Sequence, residues 1–157
     1  MKISLAYSSG LPELANEELF LELSRQSALE AGLRLQGGIL QLILLDVEEM
    51  SRLNALHLGH EGPTDVISYD LRSEAGWQML DEQEPPVAAE IYLCPAIAKE
   101  NAALYGNSAS KELLLYAIHG MLHLCGEDDQ DEEERRAMQR KQEAILAKIA
   151  PPNCNFL

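Results

Sequence analysis

His119 and His123 stand four residues apart in the run His119-Gly120-Met121-Leu122-His123-Leu124-Cys125-Gly126-Glu127-Asp128-Asp129, and carboxylates follow them. On a helix, positions i and i+4 share a face with Cβ atoms about 5–6 Å apart, so both imidazoles can aim a nitrogen at one ion. Gly126 ends such a helix as C-terminal glycines do, and the turn beyond it can bring Asp128 or Asp129 back toward the pair. The result is a set of two histidines and one carboxylate with a position left for water. The plainer alternative is a pair of unconnected side chains on an apolar helix, and the surroundings weigh against it. Leu113, Leu114, Leu115, Ala117, Ile118, Met121, Leu122 and Leu124 make the helix apolar on most sides, and imidazoles buried there without partners are costly. Gly120 costs about 1 kcal/mol relative to Ala inside a helix, which points to another backbone packing closely there. It also stands where the zincin pattern HExxH has its glutamate, which removes a protease mechanism based on that residue. Cys125 lies within the run and reads as a small buried residue rather than a ligand.

This segment resembles HGxLHLxGxDH, the signature of the YbeY endoribonucleases of bacterial ribosomal RNA maturation. Every fixed position matches except the last, where Asp129 replaces a third histidine. Leu53-Asn54 followed by Gly62-Pro63-Thr64-Asp65-Val66-Ile67-Ser68-Tyr69 is similar to the family's LN...PTDVLSF segment, and Ala89-Glu90-Ile91-Tyr92-Leu93-Cys94 to its GDIxIS strand, in the same order from roughly Ile3 to Ala147. The resemblance implies a metal held by His119, His123 and Asp129. It also implies a metal-dependent, single-strand-specific endoribonuclease acting in 16S ribosomal RNA 3′-end maturation and in ribosome biogenesis and quality control.

Two departures from the family shape the expectation. An aromatic residue and an arginine usually follow the Leu-Asn pair; here those positions read His57 and Leu58, so the arginine's role does not carry over. Asp129 can still ligate, since a carboxylate oxygen is a sound zinc donor, but an anion in place of imidazole makes bound water less acidic. Zinc is expected, one per chain, with Mn2+ or Fe2+ made plausible by the harder ligand. His57 and His60 could add a ligand or a proton carrier, or simply be exposed loop histidines. The expected chemistry is metal-assisted phosphodiester hydrolysis, with His119 among the catalytic groups. Asp128 is expected either as the base or as a carboxylate orienting a ligand imidazole. Asp65, with Thr64, either shapes the cleft or bonds backbone N–H groups in a turn after Pro63. Ser68 and Asn54 share that ambiguity.

Charge bears on the partners. Twelve basic residues against 26 acidic ones leave a net charge of −14, whereas nucleic-acid binders draw affinity from a basic face that releases phosphate counterions. Glu127 to Glu134 alone holds seven acids. The cluster Arg135, Arg136, Arg140 and Lys141 reads best as i,i+4 partners of acids, Asp131 with Arg135 and Glu132 with Arg136. Free RNA should therefore bind weakly, and action on ribosomal RNA would depend on a partner such as the small ribosomal subunit, a ribosomal protein or an assembly GTPase. Neither a membrane nor DNA is expected as a partner. Two other readings stay open: an assembly factor with a structural metal and little catalysis, and a metal hydrolase with a non-RNA substrate.

The elements that must position these residues follow from pattern and punctuation. A chain of 157 residues, 46% hydrophobic, can bury close to 70% of its unfolded surface in one core. One domain is expected over residues 1–150, with a short tail over 151–157. Cys94, Cys125 and Cys154 are an odd number without CxxC spacing, which argues against a disulfide framework. With no run of eighteen apolar residues and no signal peptide, a cytoplasmic location is expected. Strands are predicted over Ile3–Ser8, Ile39–Leu45, Thr64–Leu71 and Ala88–Cys94, the last two as a hairpin joined by a polar excursion that Trp77 packs down. Helices are predicted from Pro12 with Glu13 to about Ala31, from Val47 to about Leu56, from Pro95 to about Tyr105, over Ser110–Leu124 and over Asp131–Ala150. This order makes an α+β domain, with one mixed four-stranded sheet covered by about five helices and the metal site on a helix and its following turn.

Overall fold

The computed structural model describes residues 1–58, 64–73 and 85–157. Expectations placed on His60 and Trp77, and on the side chains of His57 and Leu58, lie outside the described residues. Four strands, β1 (Lys2–Tyr7), β2 (Ile39–Leu44), β3 (Val66–Asp70) and β4 (Val87–Leu93), form one sheet in the order β1-β2-β4-β3. β1, β2 and β4 run parallel, and β3 pairs antiparallel with β4, which is the expected hairpin. Among the described residues the α-helices are α1 (Glu17–Ala31), α2 (Val47–Leu58), α3 (Pro95–Tyr105), α4 (Ala109–Leu124) and α5 (Glu132–Ile149). The α+β architecture with a mixed sheet is thus the one observed.

Alternation along the strands divides the sheet into two faces. Leu40, Leu42 and Leu44 of β2 pair with Ala89, Ile91 and Leu93 of β4 and belong to the main core. Ile67, Tyr69, Tyr92 and Ile43 join Met50 and Leu53 of α2 in a second cluster on the opposite face. α4 lies at the centre of the main layer, touching β3, β4, α1, α3 and α5. Eleven of its sixteen residues are buried, so the helix carrying both histidines is among the most constrained parts of the chain.

Gly120 seats this helix. An added Cβ would meet Ile91 Cγ2 at 3.1 Å, Ile91 Cδ1 at 3.2 Å and Val66 Cγ2 at 3.3 Å. The close neighbours are side chains of the sheet, not the backbone that the sequence led us to expect, because α4 crosses strands whose branched side chains stand up toward it.

The first helix begins later than predicted. Asn16 caps it by accepting the Leu19 N–H, while Leu14 N–H donates to the Tyr7 hydroxyl, which itself donates to Glu17. These bonds hold the chain from Leu11 to Ala15 out of helical form despite its helix-compatible residues. Residues 151–157 pack back onto the core. Phe156 is fully buried with its ring centroid 4.9 Å from that of Phe20, and the Ser110 hydroxyl accepts the Phe156 and Leu157 N–H groups. Among the described residues, no helix is long and apolar enough to cross a membrane.

Candidate metal centre

α4 starts at Ser108, whose hydroxyl accepts the Lys111 N–H, and ends in a tight reversal. Gly126 takes φ +94°, its N–H donates to His123 O, and Glu127 N–H donates to Leu122 O. This is the Schellman pairing, available because glycine adopts the left-handed region without a Cβ clash. The chain therefore folds back over the last turn of its own helix, which presents the residues after Gly126 to the two histidines.

His119 Nε2 and His123 Nε2 lie 3.1 Å apart, and the rings meet edge to face. Asp129 closes the third side, with Oδ2 at 3.3 Å from His119 Nε2 and Oδ1 at 3.6 Å from His123 Nε2. One ligand atom from each residue lies within 4.8 Å of the others, a spacing that can hold a metal ion. For a tetrahedral ion with bonds of about 2.0–2.1 Å, neighbouring ligand atoms stand about 3.4 Å apart, close to the 3.1 Å between the two imidazole nitrogens and the 3.3 Å from His119 Nε2 to Asp129 Oδ2.

The outer partners make the fit stronger. His119 Nδ1–H donates to Gln142 Oε1 at 2.8 Å, and His123 Nδ1–H donates to the Glu127 carbonyl at 3.1 Å. A carbonyl oxygen can only accept, so the proton of each neutral ring sits on Nδ1. With both rings neutral, the two Nε2 lone pairs point at each other and at a carboxylate, a repulsion that a metal ion or a proton among the three donors relieves. Ligating histidines are characteristically tied back through the other ring nitrogen in this way.

α5 braces the turn from the side. Lys141 forms an ion pair with Glu127, and Arg135 Nη1 donates to the carbonyls of Gln130 and Asp129. The predicted Arg136–Glu132 pair is present at 2.6 Å. The predicted Asp131–Arg135 pair is absent: the Asp131 carboxylate caps α5 by accepting the Glu134 N–H, which leaves the guanidinium to the carbonyls.

Asp65 enters from the segment leading into β3. Burial pushes its carboxyl above the ordinary value, and nearby His119, the Val66 N–H and the Thr64 hydroxyl pull it part of the way back. The turn role and proximity to the cluster therefore coexist in one residue. Asp128 is exposed and accepts the Asp129 N–H at 2.8 Å. It does not orient an imidazole, because Gln142 and the Glu127 carbonyl occupy both Nδ1 positions. Ser68 lies in β3 opposite Ile91 of β4, and Asn54 is buried on α2.

Cys125 is exposed, not buried as its residue type led us to expect, because it falls at the end of α4 beyond the packed layer; its Sγ contacts Ala31 O at 3.4 Å and it stays outside the ligand group. On the buried side of α4, Asn101 Nδ2 donates to the Tyr116 hydroxyl at 2.6 Å and Asn107 Nδ2 to Glu112 at 3.0 Å, tying α3 and its following loop to the ligand helix. Gln142 and Arg135 are the residues that sequence reasoning missed in these roles. Gln142 lies nineteen positions after His123 on another helix, so no local pattern marks it.

Fold and site together define an α+β protein with a candidate metal centre on a central helix and its returning turn. The chain belongs to the endoribonuclease YbeY family, whose model matches residues 9–150. The endoribonuclease YbeY of Elusimicrobium minutum is 40% identical over 113 residues, covering 71% of this chain and 75% of the relative. That of Salinispora tropica is 33% identical over 152 residues, covering 94% and 95%. The solution structure of TM1509 from Thermotoga maritima aligns with a TM-score of 0.56 at 25% identity, over 94% of this chain and 88% of that one.

Proposed function

We propose that this protein is a metal-dependent, single-strand-specific endoribonuclease acting in 16S ribosomal RNA 3′-end maturation. The observation that carries the reading is the convergence of two bare imidazole nitrogens and a carboxylate at a solvent-reachable point, in a chain of the endoribonuclease YbeY family. The side chains of His119, His123 and Asp129 keep 25%, 30% and 35% of their exposure. A closed structural centre buries its ligands, so this openness favours catalysis over a structural metal.

His119, His123 and Asp129 are the residues that would hold the ion, zinc by the tetrahedral spacing, with Mn2+ or Fe2+ admitted by the carboxylate. When bound, a divalent ion supplies Lewis acidity toward a phosphoryl oxygen and lowers the pKa of water. The protein's own groups do the rest. Gln142 and the Glu127 carbonyl keep each ring proton on Nδ1 and both Nε2 atoms aimed inward. Asp65 is the preferred proton acceptor: its carboxyl is part-buried beside His119, and burial raises its affinity for protons above that of an exposed carboxylate, the direction that favours a general base. Asp128 is the second candidate, with its main role in fixing the turn through the Asp129 N–H.

Substrate delivery belongs to the same proposal. A net charge of −14 repels a free polyanion, so the substrate is ribosomal RNA presented by the small ribosomal subunit, a ribosomal protein or an assembly GTPase in the cytoplasm. Residues 1–150 act as one domain, and the short segment 151–157 completes its core through Phe156. The test is cleavage of end-labelled ribosomal RNA, free and presented on the small ribosomal subunit, by metal-loaded protein beside a His119→Ala, His123→Ala double variant. Cutting that disappears in the variant supports the reading; equal cutting by both refutes the metal centre as its source, and none by either on both substrates across zinc, manganese and iron refutes nuclease activity.

A further inference from the structure

Arg135 differs from the ion-paired cations near the metal centre. Arg72 is paired with Asp70, Lys141 with Glu127 and Arg136 with Glu132. Seven of the eight residues before Arg135 are acidic, yet its Nη1 donates to two backbone carbonyls, Gln130 O at 3.1 Å and Asp129 O at 3.4 Å. It does so in the first turns of α5, where the helix dipole disfavours a cation and where Glu132, Glu133 and Glu134 follow the rule instead. A residue that breaks a local preference in this way marks a site where another requirement dominates.

That requirement is visible in the turn itself. Between the Schellman bonds at Gly126 and Glu127 and the Asp131 cap of α5, the backbone of Asp128, Asp129 and Gln130 has few described anchors. One is local, the Asp128 carboxylate on the Asp129 N–H. From α5, the Glu134 carboxylate accepts the Gln130 N–H, and Arg135 is the group that reaches the main chain of Asp129 itself. Bonds from an ionised donor are stronger than neutral ones; the shorter one holds Gln130 O, and the longer one reaches the main chain of Asp129, whose side chain faces both imidazoles.

We propose that Arg135 is the positioning residue for the third ligand, holding the Asp129 backbone so that its carboxylate meets the two Nε2 atoms. The proposal rests on the metal reading of the cluster given above. Because a single nitrogen makes both bonds, an ammonium can replace it, so lysine should substitute where alanine does not. A purely electrostatic contribution of α5 would instead be felt equally at Arg136, one residue along the same helix.

The test uses Co2+ as the probe, measuring its affinity by competition with a chromophoric chelator and its visible absorption bands, which report coordination geometry. Arg135→Ala should bind Co2+ about tenfold more weakly, the low end of the range for outer partners of a metal site, with shifted bands. Arg135→Lys should recover both affinity and bands, and Arg136→Ala should match the parent. Parent-like affinity and bands in Arg135→Ala, failure of lysine to recover them, or an equal loss in Arg136→Ala would each overturn the proposal. Failure of the metal reading is distinguishable, because the parent would then bind Co2+ no better than the His119→Ala, His123→Ala variant.

Discussion

Replacing Gln142 by leucine tests the centre at its least obvious point. The substitution keeps approximate size and helix propensity and removes one acceptor, the oxygen 2.8 Å from His119 Nδ1. The His119 side chain retains 25% exposure, so water can satisfy the freed Nδ1–H and the penalty of an orphaned buried donor does not arise. What is lost is the choice of tautomer, the ring orientation and some basicity at Nε2. Such outer contacts are worth about 10–100-fold in metal affinity. A neutral amide and an accessible ring place this one at the lower end, about tenfold, or about 1.4 kcal/mol. Gln142→Glu should move affinity the other way, because a carboxylate polarises the ring more strongly than an amide does. Zinc competition against a chromophoric chelator measures both, with circular dichroism to check that α5 is intact. If Gln142→Leu binds zinc as tightly as the parent in a folded protein, the argument that Nδ1 anchoring holds the lone pairs in place is refuted.

Other outcomes are equally open to measurement. Gly120→Ala gains about 1 kcal/mol of helix propensity but presses on Ile91 and Val66, where overpacking costs about 1–3 kcal/mol; urea titration should show a net loss of about 1 kcal/mol, and Gly120→Val a larger one. Phe156→Ala removes a fully buried ring packed at a tilt against Phe20 and should lower unfolding free energy by about 3–5 kcal/mol, read from the same titration. Arg72 holds the Asp70 carboxyl below its ordinary value of 3.8. The stability from this pair is therefore complete above the unfolded value and is lost as pH falls through the folded one. Arg72→Met should flatten that acid-side dependence of the urea midpoint, by a small amount because both side chains reach solvent.

The main elements could be read from the chain because each carries its own local signal. Apolar runs gave β2 and β4, Pro95 and Gly106 bracket α3, and the i,i+4 histidines with Gly126 located the ligand helix and its turn. The start of α1 was misread because the Tyr7 hydroxyl, ten residues before Glu17, competes with helical bonding there. The partners of the histidines were invisible for the same kind of reason: Gln142 belongs to a helix whose exposed face looks like any solvated one, and only packing of α5 against α4 brings it to Nδ1. The reason for Gly120 was half legible, since glycine announces a close approach without saying what approaches.

The three candidate ligands lie within residues 119–129, and this short span governs how metal binding couples to folding. Bringing together groups four and six residues apart costs little chain entropy, so an unfolded or nascent chain that forms this one helical turn already offers a weak site. Ligand linkage stabilises a protein only by the difference between its affinities for the folded and unfolded states. The ion should therefore raise the melting temperature less than its affinity for the native protein alone would give. What surplus it does confer must come from groups that only the finished fold supplies, Gln142 behind one ring and the α5 contacts behind the turn. Chelation should accordingly leave a folded domain with a loosened loop, not an unfolded chain.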